Sequence, residues 1–317
     1  MITNVLVPTD FSDEAHKALH YAAALARRCG AHLHIVHVSE VDFAIPGAAN
    51  PETNLLLADT EESRALKQQI DAVVGKDVVV SFHGRTGRAF DQIVRCAHEI
   101  PADLIVMSTF GRTGLKRLFL GSTAERVVQY SLSPVLVVRR DEEQLTAEGQ
   151  PLAMGSILVP VDFSSSSAES VRFAIEFARG FGSSLVLFHS YEAPPVVIPD
   201  PYGVPNLPPT LEIARAAAED QMRQFVKLFD FGGVDFETQI MMGRAVETIC
   251  DYAEREKSDL IITSTHGRTG FMHVLIGSVA EHVVRNARTP VLVVPGGMKR
   301  AGDKTPLLVQ MMYHGVD

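Results

Sequence analysis

Two long strings in this chain place glycine and serine where they could bind an anion. They run STFGRTGLKRLFLGSTAERVVQYSLSPVLVV and STHGRTGFMHVLIGSVAEHVVRNARTPVLVV. In both, nine residues separate a glycine from a Gly–Ser pair that opens a predicted helix. Glycine lets a ligand approach the backbone closely, and the free N–H groups and dipole of a helix start favour an anion. We therefore predict a phosphate site at Gly111 with Gly121–Ser122, and another at Gly267 with Gly277–Ser278.

A capped helix is the simpler interpretation of part of this pattern. Ser122 with Glu125, and Ser278 with Glu281, match the S-x-x-E capping box. Capping does not explain why three glycines recur at matching positions in both strings. These are Gly111, Gly114 and Gly121 in the first string, and Gly267, Gly270 and Gly277 in the second.

Better-known phosphate loops are excluded. Neither GxxxxGK[ST] nor GxGxxG occurs in the chain. Arg112 and Arg268 lie in the strings, but an arginine on a loop is more often simply solvated. The sequence thus predicts a phosphate site made mainly by backbone groups.

Other residues could bind a metal ion or transfer a proton. Asp10 and Asp162 could bind Mg²⁺ or act as a base, but one carboxylate without an evident partner is weak support for catalysis. His32 and His34 share one face of a predicted strand and could form a metal pair. Ordinary strand residues are the preferred interpretation, because no acid or cysteine joins them at ligand spacing.

The strings belong to an internal duplication. NVLVPTDFS and SILVPVDFS lie 152 residues apart, whereas GRAFDQI and GRAVETI lie 156 apart. The second copy has therefore gained four residues between about Gly182 and Gly243, and we place them in the proline-rich segment that begins at Ala193. A further GRTG at 84–87 shares only Gly87 with the second copy, so we interpret it as a helix start.

Each copy alternates strands with helices. A run suited to a buried strand is followed by Ser12, which opens a helix that Gly30 ends. Alternation of this kind predicts two tandem α/β domains, each a doubly wound, five-stranded, mostly parallel sheet with helices on both faces. In the first copy we predict strands at 5–8, 31–38, 77–83, 103–108 and 134–138, and later helices at 55–74, 88–99 and 123–131.

Composition excludes several classes of protein. A chain of 317 residues fits two domains, and no apolar run is long enough to span a membrane. No secretory leader is visible, so we expect a cytoplasmic protein. A net charge of −9 argues against nucleic acid as a partner. The three cysteines form no CxxC or zinc spacing and are typical of reduced, buried residues.

The two strings, together with LVPTDFS and LVPVDFS, resemble the universal stress protein family. Its nucleotide-binding members carry G-x-x-G, nine residues, and then glycine followed by Ser or Thr, and both strings fit. The family's first glycine falls on Ser108 and Ser264, a departure in both copies. The resemblance spans about Ile2 to Val294 and implies a tandem member with an adenine-nucleotide alpha-hydrolase-like fold.

The resemblance implies that ATP, ADP or AMP, with or without Mg²⁺, lies at the carboxyl end of the sheet. The Asp10 loop would meet adenine and ribose, and Val38 would pack on adenine; Ser190 replaces that apolar contact in the second copy. The implied residues of the first copy are Pro8, Thr9, Asp10, Val38, Met107, Ser108, Gly111, Gly121, Ser122 and Thr123. Those of the second are Pro160, Val161, Asp162, Ser190, Thr263, Ser264, Gly267, Gly277, Ser278 and Val279.

The resemblance also bears on assembly. The family often pairs domains through the last strand, PVLVV, so the two copies would pair with each other, and a homodimer stays open. We expect domains at 1–145 and 152–296, and a C-terminal tail at 297–317 that could dock on a domain or on another subunit.

Three functions follow. The first is an adenine-nucleotide-binding stress-response or regulatory protein, which changes conformation or partner affinity with nucleotide state. The second is a slow Mg²⁺-dependent ATPase that uses the same loop. The third is an interaction scaffold with degenerate nucleotide sites. The first is the prediction, and no catalytic residue or metal ligand is assigned.

Overall fold

The computed structural model describes residues 2–39, 61–108, 120–139, 154–192, 211–265 and 277–296. Strands and helices alternate through the described part of both copies. The first copy contains β1 (Asn4–Pro8), α1 (Asp13–Cys29), β2 (His32–Ser39), α2 (Glu61–Val74), β3 (Val80–Thr86), α3 (Ala89–Glu99), β4 (Leu104–Ser108), α4 (Ser122–Tyr130) and β5 (Val135–Val138). The second contains β6 (Ser156–Pro160), α5 (Ser165–Phe181), β7 (Ser184–Tyr191), α6 (Leu211–Val226), β8 (Phe236–Met242), α7 (Ala245–Arg255), β9 (Leu260–Ser264), α8 (Ser278–Asn286) and β10 (Val291–Val294).

All of these strands form one sheet, in the order β3-β2-β1-β4-β5-β10-β9-β6-β7-β8. Strands within each copy are parallel. The copies meet where β5 and β10 run antiparallel, with Leu136 opposite Leu292. The doubly wound α/β fold is confirmed, and so is the pairing of the two copies through their last strands. Because the seam is antiparallel, the carboxyl ends of the two sets of strands lie on opposite edges of the sheet.

The sheet is covered on both faces. Along β1, Val5 and Val7 pack with α1 and α2, whereas Leu6 packs with α3 and α4. The second copy repeats this division, with α5 and α6 on one face and α7 and α8 on the other. The strands β1, β4 and β5, and their counterparts β6, β9 and β10, are therefore buried on both sides, which accounts for their nearly continuous apolar sequences. The strands at the two edges of the sheet, β3 and β8, are more exposed.

The first helix of each copy has matching ends. The Ser12 hydroxyl accepts from the Ala15 N–H, and Gly30 ends α1 with a left-handed φ of 64°. Ser164 and Gly182 end α5 in the same way, with φ of 68° at the glycine. These are the termini that the sequence predicts, because serine caps a helix start and glycine adopts the left-handed cap without steric strain.

The third strand lies later in the chain than predicted. The prediction was 77–83, whereas β3 begins at Val80 and extends to Thr86. Most of the GRTG at 84–87 is thus strand paired with β2, and Gly87 follows it with a φ of 135°. The interpretation of Gly87 as a helix start is confirmed, since α3 begins two residues later.

The predicted place of the four extra residues is wrong. The ends of α2 and α6, Val74 and Val226, are still 152 residues apart, whereas the starts of β3 and β8, Val80 and Phe236, are 156 apart. The insertion therefore lies at 227–235, after α6. Two adjacent glycines there have positive φ, 54° and 84°, and allow the longer turn. The proline-rich segment at 193–210, named by its composition alone, lies outside the described residues.

No helix in the described ranges has the length and apolar character that a bilayer crossing needs.

Candidate functional site

The strand order creates one crevice in each copy. From β1 the chain moves to β2 and β3 on one side, and then returns to β4 and β5 on the other. Ligands of open α/β sheets bind at such a reversal, beyond the carboxyl ends of the strands. In the first copy this point lies between the loop after Pro8 and the end of β4 at Ser108. The equivalent point in the second copy lies between Pro160 and Ser264.

A carboxylate lies at this point in each copy, in the same local geometry. Asp10 Oδ1 accepts from the Ser12 N–H at 3.1 Å and from the Ser12 hydroxyl at 2.6 Å. Asp162 Oδ1 accepts from Ser164 at the same two distances. The turn joins the loop to the start of α1 or α5, so each carboxylate has a fixed place at the sheet edge. Sequence reasoning selected both aspartates but missed the serines that orient them.

The backbone between each aspartate and its serine has an uncommon conformation. Phe11 has a φ of 61° and Phe163 a φ of 64°. The left-handed region is disfavoured for a bulky side chain, so two matching cases indicate a constrained loop. The repeated letters DFS were the only signal for these residues in the sequence.

The Gly–Ser pairs begin helices, but not as capping boxes. Gly121 is the N-cap of α4, in extended conformation, and its carbonyl accepts from the Glu125 N–H at 2.9 Å. Gly277 caps α8 in the same way, at 3.0 Å from the Glu281 N–H. Each serine is therefore the first helical residue, and the prediction that its hydroxyl caps the helix is wrong. Ser122 and Ser278 are both exposed at the helix start.

Because glycine and not serine is the N-cap, the helix starts favour the phosphate-site interpretation of the strings over the capped-helix interpretation. The start of each helix presents a glycine backbone and an exposed hydroxyl, and a glycine at the N-cap adds no side-chain acceptor of its own. Such a start is suited to an anion, which can accept from the first N–H groups and from the hydroxyl. In the second copy the Gly277 N–H already donates to the Thr265 carbonyl at 2.5 Å.

The remaining predicted residues differ in their access to the crevice. Val38 and Ser190, the next-to-last residues of β2 and β7, are partly exposed, whereas Met107 and Thr263 are buried, with 6% and 8% of their surface accessible. Thr123 is partly exposed and Val279 is 40% exposed. Four glycines and two arginines of the strings, Gly111, Gly114, Gly267, Gly270, Arg112 and Arg268, lie outside the described residues.

The aligned histidines of the second strands contact the aspartate loops. His37 Nδ1 lies 2.9 Å from the Thr9 carbonyl, and His189 Nδ1 lies 2.8 Å from the Val161 carbonyl. A carbonyl oxygen only accepts, so each ring donates from Nδ1. Both histidines thus connect the second strand to the loop that carries the carboxylate.

The other strand histidines form a separate cluster away from the crevice. His34 Nδ1 lies 3.0 Å from His83 Nε2, His34 Nε2 lies 3.2 Å from the Asn4 side-chain oxygen, and the His32 ring stacks on His34. Burial, with smaller effects from His32 and His83, lowers the pKa of His34 to about 4. Within the described ranges, no group of three His, Cys, Asp or Glu side chains is arranged to bind a metal ion. Burial and Arg85 also lower the pKa of His83, so the hydrogen bond between His34 and His83 joins two rings that favour their neutral forms.

Comparison with known proteins agrees with this architecture. The model of the universal stress protein family matches residues 1–139 and 154–295. A universal stress protein of Mycolicibacterium smegmatis is 27% identical over 296 residues, which are 92% of this chain and 96% of that protein. One from Methanocaldococcus jannaschii is 33% identical over 138 residues, which are 44% of this chain and 80% of that protein.

The fold is shared with a solved structure of similar length. The crystal structure of a universal stress protein from Archaeoglobus fulgidus matches with a TM-score of 0.66 and 19% identity, over 93% of this chain and 98% of that one. The family model covers both copies of the duplication and most of the sequence. This chain therefore belongs to the universal stress protein family, as a tandem member with two copies of the family's domain.

Proposed function

We propose that this chain binds adenine nucleotide, ATP or its AMP and ADP forms, in both copies. In this proposal it acts in stress response or regulation, because the bound nucleotide changes its conformation or its affinity for a partner. The observation that carries the proposal is the pairing, twice in one chain, of a carboxylate loop with a helix start of glycine and exposed serine. Both parts of each pair belong to the crevice where parallel sheets bind ligands.

The two parts suit opposite ends of a nucleotide. The helix start at Gly121–Thr123 offers N–H groups, hydroxyls and the positive end of a dipole to phosphate oxygens. The Asp10 carboxylate is an acceptor suited to ribose hydroxyls, and Val38 offers an apolar surface to adenine. We place the binding units at 1–145 and 152–296, with a tail at 297–317.

The second copy offers fewer of these contacts. Ser190 stands where the first copy has Val38, and Val279 stands where it has Thr123. The second site therefore lacks an apolar contact for the base and one hydroxyl near the phosphates. It retains Asp162 and the Gly277–Ser278 helix start, and we expect it to bind the same ligand more weakly.

The test replaces each N-cap glycine by aspartate. Gly121→Asp and Gly277→Asp preserve helix capping, because aspartate is a favoured N-cap residue and the glycine φ of −60° and −57° suits any L-residue. The added carboxylate repels phosphate at the predicted site. Calorimetric titration with ATP should show two sites in the parent chain, one in each variant and none in the double variant.

Gly121→Asp and Gly277→Asp control for each other, because each should remove one site and leave the other site and the fold intact. Far-ultraviolet circular dichroism and the melting temperature should stay close to those of the parent in both variants. Full binding stoichiometry in the double variant would place the nucleotide elsewhere and remove the basis of the proposal.

A further inference from the structure

The loop after the first strand of each copy is attached to the second strand by a backbone bond and a side-chain bond. The Thr9 N–H donates to the Val36 carbonyl at 2.9 Å, and the His37 ring donates back to the Thr9 carbonyl, also at 2.9 Å. In the second copy, Val161 and His189 repeat the arrangement, with both distances at 2.8 Å. The residue before each aspartate is thus bonded through both its N–H and its carbonyl.

The histidine ring has a second contact with the same loop. Phe11 packs on His37 with 4.7 Å between ring centroids, and Phe163 packs on His189 at 4.3 Å. These are the two phenylalanines with left-handed φ, a conformation that is strained for a bulky side chain. The ring contact offsets part of that strain and fixes the loop on the far side of the aspartate.

The aspartate therefore lies between two residues that one histidine ring contacts. The bond to the Thr9 carbonyl fixes the plane of the Thr9–Asp10 peptide. In a trans peptide it also fixes the Asp10 N–H, which points opposite to that carbonyl. Phe11 is fixed by its ring, and the Asp10 side chain by Ser12.

We propose that His37 and His189 are positioning residues, which orient the Asp10 and Asp162 carboxylates toward the hydroxyl groups of a bound nucleoside. The inference rests on the proposed nucleotide function, and it gives a role to side chains that need not touch the ligand. We call the ring contact and the carbonyl bond of each histidine the histidine clasp. Its geometry is nearly the same in both copies, although Ser190 replaces Val38 and Val279 replaces Thr123. Preorganisation of this kind raises affinity by lowering the cost of ordering the site on binding.

Single-site backgrounds let each histidine be tested alone. In Gly277→Asp only the first site should bind ATP, and there we compare His37→Leu with His37→Asn. Leucine removes the donor, whereas the asparagine amide can donate from nearly the position of Nδ1. We expect His37→Leu, which loses both the hydrogen bond and the ring contact, to weaken ATP binding about thirtyfold, and His37→Asn, which loses only the ring contact, to weaken it about threefold. His189→Leu and His189→Asn in Gly121→Asp are the matched pair for the second copy.

The outcomes separate this inference from the proposed function. If neither glycine variant binds ATP at its intact site, the nucleotide function itself fails. If the intact sites bind but His37→Leu binds as well as its background, the positioning role is overturned. Equal losses in the leucine and asparagine variants would also overturn it, because a merely structural role of the ring predicts no rescue by the amide.

A second variant serves if His37→Leu fails to fold. Phe11→Asn keeps a residue that tolerates left-handed φ, and it removes the ring contact with His37 together with the packing of Phe11 on the core. We expect about threefold to tenfold weaker ATP binding in the Gly277→Asp background, as for the loss of one aromatic contact. Unchanged affinity in that variant would contradict the inference.

Nitrogen NMR supplies a readout on the unmodified chain. The carbonyl bonds require the neutral forms of His37 and His189 to carry their proton on Nδ1, whereas the Asn4 contact requires His34 to carry it on Nε2. Protonation of His37 or His189 on Nε2 alone would show that the clasp does not form in solution.

Discussion

At the scale of single residues, the carbonyl oxygen of the glycine in each Gly–Ser pair determines where the helix begins. Sequence spacing predicts that Ser122 and Ser278 cap their helices, because S-x-x-E has the letters of a capping box. In the structure the carbonyls of Gly121 and Gly277 accept the first helical hydrogen bonds, so each helix begins one residue earlier than the motif requires. The serines are thereby exposed at the helix start, where a phosphate would bind.

The buried histidine network gives a residue-scale prediction on pH. Burial first, then His32 and His83, lowers the pKa of His34 to about 4, and burial with Arg85 lowers that of His83. An unfolded histidine has a pKa of about 6.5, so between pH 6.5 and 4 the unfolded chain binds more protons than the folded one. The contribution of His34 to stability is complete above pH 6.5 and is lost as the pH falls toward 4.

We expect that loss to be about 2–3 kcal/mol. Urea unfolding of the parent chain at several pH values in this window measures it, and His34→Gln should flatten the profile. His98→Gln, at an exposed position of α3, is the matched control for the removal of a histidine side chain. A parent profile that is already flat would contradict a buried, neutral His34.

At the scale of elements, a glycine at a helix cap and a glycine within a helix have opposite effects on stability. Gly30 ends α1 with a φ of 64°, whereas Gly180 lies within α5, and a Cβ at either position would meet no atom within 4 Å. Substitution at either position therefore changes backbone energetics and little else.

The prediction is a pair of opposite effects. Gly30→Ala should lower the free energy of unfolding by about 1 kcal/mol, because alanine is strained in the left-handed cap. Gly180→Ala should raise it by about 0.5 kcal/mol, because alanine is the better helix former. Urea unfolding of both variants measures the difference, and equal effects of the same sign would contradict the cap assignment.

At the scale of the whole molecule, the two copies form one sheet through the β5–β10 seam. Leu136 and Leu292 are opposite each other there, each 1% exposed. A buried, unpaired charge at this place has no compensating partner within the seam. The seam is therefore the part of the molecule through which damage to one copy should reach the other.

Leu136→Asp should destabilise the whole chain by more than about 4 kcal/mol, or prevent folding. Leu132→Asp, on the same segment but 47% exposed, should change stability by less than about 0.5 kcal/mol. Circular dichroism and size-exclusion chromatography compare the two variants. Equal stability of both would contradict the burial of Leu136 in the seam strand.

The sequence predicts the parts of this fold that local chemistry determines. Ser12 and Gly30 mark the ends of α1, and apolar runs mark the buried strands, because capping and burial act on neighbouring residues. The start of β3 was misplaced because an edge strand pairs on one side only, and its register with β2 decides which residues belong to it. The four extra residues were misplaced because proline content does not measure loop length.

The candidate site was predictable only in part. Asp10 and Gly121 stand out because equivalent residues recur in the second copy, and this recurrence is visible in the sequence alone. His37 and Phe11 recur as well, but their role depends on a contact between a strand and a loop 28 positions apart in the chain. Contacts of this kind follow from the sheet register, which the spacing of residues does not encode.

The most direct test of the central claim is a count of nucleotide per chain. The protein is purified without added nucleotide and denatured, and released molecules are identified by mass spectrometry; the emptied and refolded chain is then titrated with ATP by calorimetry. We predict an adenine nucleotide in the released fraction and two sites per chain in the titration, the weaker one abolished by Gly277→Asp. No released nucleotide together with no ATP binding would contradict the account and leave a scaffold with degenerate sites.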